Sequence, residues 1–232
     1  MLISLAMHAA LAQVERIDRP GTDASAEHIV VIPCPLQPWA ADDAIRGHRG
    51  TVTVVQLDRP VASREEVLSE LGRIDVSDAT VVAFGAGAAL ALQAGWQAEQ
   101  WVFIAPVTQG VPTQATRNAL TLDDGGTAQQ LLLGGVVQGW SHTTRQLGID
   151  AILLGNRTVH FPDADGTVLL SAGDELAMVE AMVPAAHDAG LTIERIGTGG
   201  WLGRDLSHTD ITATRAGRRA IRRALRRQWR RR

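Results

Sequence analysis

Short apolar runs alternate along this chain with stretches that are amphipathic or rich in alanine. The runs at residues 28–33 (HIVVIP), 51–57 (TVTVVQL), 80–84 (TVVAF), 100–105 (QWVFIA), 167–170 (TVLL) and 191–196 (LTIERI) read as strands. Their β-branched and aromatic side chains suit a pleated surface, and the near-continuous apolar ones suit strands covered on both faces. Ser63 followed by Glu66 makes a capping-box signature, which predicts a helix through about Leu71. TVVAF breaks at Gly85-Ala86-Gly87 into AALALQAGWQAE, read as a second helix, and another is expected at about residues 175–189. Strands alternating with helices in this way predict an α/β fold, a mostly parallel central sheet flanked by helices.

Two segments stand apart from that rhythm. Residues 107–163 are the least regular, with Asp123-Asp124-Gly125-Gly126, an apolar stretch at 131–137 and Trp140-Ser141-His142. In a sheet protein such an insertion is expected over the strand ends as a lid. At residues 212–232, Ile221, Leu225 and Trp229 recur every fourth position with Ala220 and Ala224 beside them, and arginines fill the other faces. This predicts a C-terminal helix with one narrow apolar stripe. Gly217 falls on the stripe, where it is expected to add no contact and to weaken the helix by about 1 kcal/mol. No internal repeat or long linker appears, so residues 1–232 are expected to form a single domain.

Composition changes the picture in three ways. With 45% hydrophobic and 20% charged residues, the 232-residue chain has the balance of a globular protein and can bury a full core. All 22 basic residues are arginine and tyrosine is absent, a usage expected of a GC-rich bacterial genome. A single cysteine, Cys34, excludes an intramolecular disulfide and a multi-cysteine metal site, and agrees with a reducing, cytoplasmic compartment. The opening MLISLAMHAALAQ lacks the basic flank of a signal peptide and is read as the first structural element, and no apolar run is long enough to span a membrane.

Charge is unevenly placed. Residues 215–232 hold ten arginines and no acid; removing those charges from the net −3 leaves −13 on residues 1–214. The arginine helix is expected either to be solvated and answered by the acidic body, or to meet an acidic protein partner or a second copy of the chain. With Trp229 as its one aromatic, base stacking and nucleic-acid binding are disfavoured.

The segment VVAFGAGAALAL resembles the nucleophile elbow of the α/β-hydrolase family, where a strand enters the sharp turn G-x-S-x-G and continues as a helix. The matching residues are Ala83-Phe84-Gly85-Ala86-Gly87, with Gly85 in the serine's place. The resemblance covers roughly residues 28–106 and 167–212. It implies an acid after the next-to-last strand and a histidine after the last. In a G-x-x-D-x-x-V frame, Gly173 puts Leu176 at the acid's place, with Asp174 and Glu175 one or two residues away. At the histidine's place stands Trp201, with His208 seven residues further on. The resemblance also implies an oxyanion hole, from the backbone N–H of Ala86 and a loop N–H near Cys34-Pro35-Leu36, where Pro35 has none to give.

Glycine carries no nucleophile, so ordinary serine hydrolysis is not expected. The candidates for chemistry are Asp174, His208 and Cys34, and the expected ligand pocket is lined by Gly85, Ala86, Cys34, Leu36 and Trp201. Each has a plain structural alternative: Cys34 as a buried thiol between prolines, Asp174 as a first-turn helix acid, His208 as part of a helix cap. No HExxH and no paired histidine spacing suggest a metal, and Gly85-Ala86-Gly87 lacks the third glycine of a dinucleotide turn, with Leu90 in its place, so no cofactor is expected.

The reading that follows is a non-hydrolytic α/β-hydrolase-fold protein, a pseudoenzyme with a ligand-binding or biosynthetic accessory role for a hydrophobic small molecule or acyl group. The alternative is a serine esterase, thioesterase or acyltransferase in which Gly85 replaces the nucleophile, or a lyase or cyclase using His208 as base in the same pocket.

Overall fold

A computed structural model describes residues 14–23, 26–34, 46–57, 64–107, 160–174, 179–196, 206, 211–212 and 214–229. Most of the expected lid at 107–163 (residues 108–159), the N-terminal segment, the Ser63 cap and residues 175–178, 197–205 and 207–210 lie outside the described residues.

Seven strands form one sheet: β1 (Val14–Arg19), β2 (Ile29–Ile32), β3 (Val52–Leu57), β4 (Thr80–Phe84), β5 (Gln100–Ile104), β6 (Asp165–Leu170) and β7 (Thr192–Arg195). Their spatial order is β1-β3-β2-β4-β5-β6-β7. Every pair is parallel except β1 with β3. All residues of β2, β4 and β5 are buried, as are all of β6 after its first, so these central strands are covered on both faces.

β1 is not legible in the sequence. In its residues VERIDR, Val14 and Ile17 stand three apart among four charged residues, without the alternation of a half-buried strand, and only the pairing with β3 makes them a strand. Ile17 packs on the core while Arg16 and Asp18 face outward and pair with each other. Charges of this kind suit an edge strand, because they discourage further pairing.

Four helices are described: α1 (Arg64–Leu71), α2 (Ala86–Gln93), α3 (Val179–Asp188) and α4 (Arg215–Trp229). α1 touches α2, α2 lies on β2 and β4, and α4 lies on β5 and β6. α2 stops well before the end of AALALQAGWQAE. Gly95 turns the chain at a positive φ of 77°, and the Trp96 N–H returns to the Ala91 carbonyl. The Trp96 indole N–H then donates to the Leu71 carbonyl at 2.7 Å, tying the end of α2 to α1. A left-handed glycine just past the last turn is a common helix stop.

Gly217 departs from its expected role. A Cβ there would lie 1.8 Å from the Ile211 carbonyl oxygen, so the glycine lets α4 pass against residue 211. The helix-weakening glycine is a packing requirement. The apolar stripe is as expected as far as Leu225: Ala220, Ile221, Ala224 and Leu225 are all buried, and the side chain of Trp229 lies outside the described residues. Phe161, at the end of the long insertion, meets the Phe103 ring edge-on, and Phe103 stacks on Trp101.

At the amino ends of the strands, the His48 Nε2–H donates to the Glu27 carbonyl at 2.6 Å. Burial holds the His48 pKa below its ordinary 6.5, partly offset by that bond. A base whose folded pKa is depressed stabilises the fold fully above its unfolded pKa, and that share is lost as pH falls toward the folded value. The melting temperature is therefore expected to drop as pH falls through the ordinary histidine range near 6.5 and below it, and His48→Gln to flatten that decline. A slope unchanged in the variant would assign it to other groups.

Candidate functional site

The strand order itself locates a crevice. From β2 the chain goes to β3 on one side, whereas from β4 it goes to β5 on the other, and β2 and β4 are neighbours. Ligands of open α/β sheets bind at such a switch point, outside the carboxyl ends of the strands. Here those ends carry Pro33-Cys34 and Phe84-Gly85.

Gly85 makes the turn from β4 into α2 with φ 48° and ψ −123°, a conformation that an L side chain rarely adopts. Two bonds fix it against the next strand. Its N–H donates to the Ile104 carbonyl at 3.0 Å, and its own carbonyl accepts from Val107 N–H at 3.0 Å. Ala105 between them also has a positive φ, 46°, and its N–H donates to the Leu169 carbonyl. Two unusual backbone conformations thus meet at the carboxyl ends of β4 and β5, and outliers of this kind cluster at functional sites.

Helix α2 starts directly from the turn with no side-chain hydrogen bond to cap it. Residues 86–91 are buried and mostly alanine, so the helix lies close on the sheet. The closest approach is at Gly87, where a Cβ would lie 2.6 Å from the Pro33 carbonyl oxygen and 2.8 Å from that of Ile32. This contact puts the first turn of α2 against the end of β2, the strand that continues into Cys34. Cys34 is a free thiol at 2% exposure within the core cluster.

Beyond β6 the chain turns at Ser171, and Asp174 N–H donates to the Ser171 carbonyl at 3.1 Å. Asp174 is buried, at 4% exposure, and is held in an interaction of its own. The wholly buried Ser171 hydroxyl accepts the Leu206 N–H at 2.8 Å. Leu206 lies two residues ahead of His208. Ser171 thereby ties Leu206 to the loop that carries Asp174. Sequence reading missed Ser171, because a lone serine after a strand gives no signal of a partner 35 residues away.

Gly85, Ala86 and Cys34 are thus gathered around one turn, and Asp174 stands at the end of β6, two strands from β4. Leu36, Trp201, His208, Glu175 and Leu176 lie outside the described residues. No group of three metal-ligating side chains occurs among the described residues. No described helix is long and apolar enough to cross a membrane.

Solved structures with the same architecture include the Vlm2 thioesterase domain bound with a dodecadepsipeptide, at TM-score 0.61 and 14% identity, over 93% of this chain and 99% of that one. The chain has the α/β-hydrolase fold. The enol-lactonase of Burkholderia xenovorans LB400 matches with TM-score 0.60 and 14% identity over 93% of this chain and 97% of its own. A hydrolase of Oleispira antarctica matches with TM-score 0.61 and 13% identity over 94% of each chain. No protein-family model matches the sequence, and no curated protein does. Identities this low carry the fold and leave the activity open.

Proposed function

We propose that this chain is a non-hydrolytic α/β-hydrolase-fold protein that binds a hydrophobic small molecule or acyl group at the crevice between β2 and β4. The observation that carries the reading is Gly85. It occupies the strained turn between a central strand and the following helix, and it offers no nucleophile there. The structurally similar thioesterase, lactonase and hydrolase support the position of the pocket by analogy of fold alone. The first N–H groups of α2, Ala86 among them, point out of an uncapped helix N-terminus toward the carboxyl edge. They suit a carbonyl oxygen or a carboxylate of the ligand.

One observation favours a second reading. Asp174 is buried beside Ser171, which also receives the Leu206 segment just ahead of His208. An acid and a base in one pocket without a nucleophile would suit proton transfer on a bound ligand, the chemistry of a lyase or cyclase. In that case Asp174 orients His208 and His208 moves the proton.

Incubation with a broad fluorophosphonate, followed by intact-mass spectrometry, tests the proposal. The expected result is no adduct. A stoichiometric adduct would overturn it, and peptide mapping would then name the true nucleophile, with Cys34 the first position to check.

A further inference from the structure

A separate cleft of about 560 Å3 is lined by Arg46, Arg215, Arg218, Arg219 and Arg222. Four of these lie on the first two turns of α4 at i, i+3, i+4 and i+7, and so share one face of the helix. The fifth comes from elsewhere in the chain. Arg46 stands two residues before His48, which is bonded to Glu27 just ahead of β2. It therefore belongs to the amino ends of the strands, whereas Gly85 marks the carboxyl ends.

We propose that this cleft binds a small molecule carrying two or more phosphate groups. Every described residue that lines the cleft is an arginine, a setting suited to a polyanion. A planar guanidinium fork matches phosphate oxygens with two parallel hydrogen bonds, which favours phosphate over a single-point anion. Arg222 Nε donates to the Arg218 carbonyl at 3.2 Å, which holds that guanidinium against the helix. Arg218 keeps an interaction of its own within the chain. No ion pair engages Arg46, Arg215 or Arg219 among the described residues, whereas Arg227, further along the same helix, is paired with Glu194.

The helix also gains from such a ligand. Like charges three and four residues apart destabilise it, and the pairs 215–218, 215–219, 218–222 and 219–222 are all of that kind. A polyanion seated among them removes the repulsion, so binding and the stability of α4 are linked. The dimensions suit a small ligand: the volume falls within the range of small-molecule sites, roughly 300–1,000 Å3. A flat acidic protein surface would not need a cleft.

Isothermal titration with inorganic tripolyphosphate at low salt tests this. Removing Arg46 and Arg219 together, as Arg46→Gln with Arg219→Gln, is expected to weaken binding about tenfold or more. Arg223→Gln with Arg226→Gln removes the same charge from outside the cleft and is expected to weaken it by less than about threefold. Both pairs are exposed and glutamine is a good helix former, so the variants are expected to fold, which circular dichroism checks. Equal losses in the two pairs would overturn the proposal, because the tail would then act as a diffuse positive charge. Hexaglutamate binding as tightly as tripolyphosphate would also overturn it, in favour of an acidic protein partner. A melting temperature raised by tripolyphosphate no more than by sodium chloride of equal ionic strength would do the same.

Discussion

Gly87→Ala is expected to destabilise the protein by about 3 kcal/mol, which is at the upper end for overpacking and lowers the melting temperature by roughly 6–12 °C. The new methyl would lie 2.6 and 2.8 Å from the carbonyl oxygens of Pro33 and Ile32. Both obstacles are backbone. The Ile32 end of β2 is paired with Ala83 of β4, so it cannot step aside without breaking the centre of the sheet. Gly95→Ala is the control. Gly95 has a positive φ of 77° but nothing within 4 Å of a built Cβ, so only the conformational cost applies, about 1 kcal/mol. Thermal denaturation of both variants separates close approach from backbone strain. Equal losses at the two sites would mean that α2 does not sit as tightly on β2 as the structure has it.

Gly85→Ser is expected to lose stability and to gain reactivity. At φ 48° and ψ −123° a serine pays backbone strain of about 1–3 kcal/mol, a drop of several degrees in melting temperature. In return it places a hydroxyl at the carboxyl edge of the sheet, beside the first N–H groups of α2. Under the second reading, in which His208 supplies the base and Asp174 orients it, stoichiometric labelling by a fluorophosphonate is then expected. Adding Asp174→Asn to Gly85→Ser should slow labelling by about 100-fold or more, since an imidazole without its orienting carboxylate is a poor base for the hydroxyl. A folded Gly85→Ser protein that resists the probe would show that the base is missing as well. Leu176 and Trp201 would then stand where an active site has its acid and histidine, and the lyase or cyclase reading would fall with the triad.

Much of the site is legible in the chain's local patterns. The strand–glycine–helix break at Phe84-Gly85-Ala86 appears in the sequence as an abrupt change from a β-branched run to alanines. The small residues at 83, 87 and 88 announce a close crossing of strand and helix. Asp174 is ambiguous, because counting from Gly173 puts Leu176 in the acid's frame. Its burial and its bond back to Ser171 are properties of the folded turn, and no spacing rule reveals them. Arg46 carries no signal at all. It lies about 170 residues from Arg215 along the chain, and only folding brings the two to one cleft.

The sequence by itself determined the kinds of element, because period, propensity and turn chemistry act over a few neighbouring residues. Buried strands, alanine-rich α2 and the arginine-faced α4 all follow from such local rules, as does the absence of a side chain at Gly85. The tertiary structure decided everything that depends on pairing across distance. It made VERIDR a strand by giving it β3 as a partner, and it turned Gly217 from a helix defect into a contact point for Ile211. It also set the strand order, and with it the crevice between β2 and β4. These features rest on hydrogen bonds and contacts between segments far apart in the chain, which no local pattern specifies.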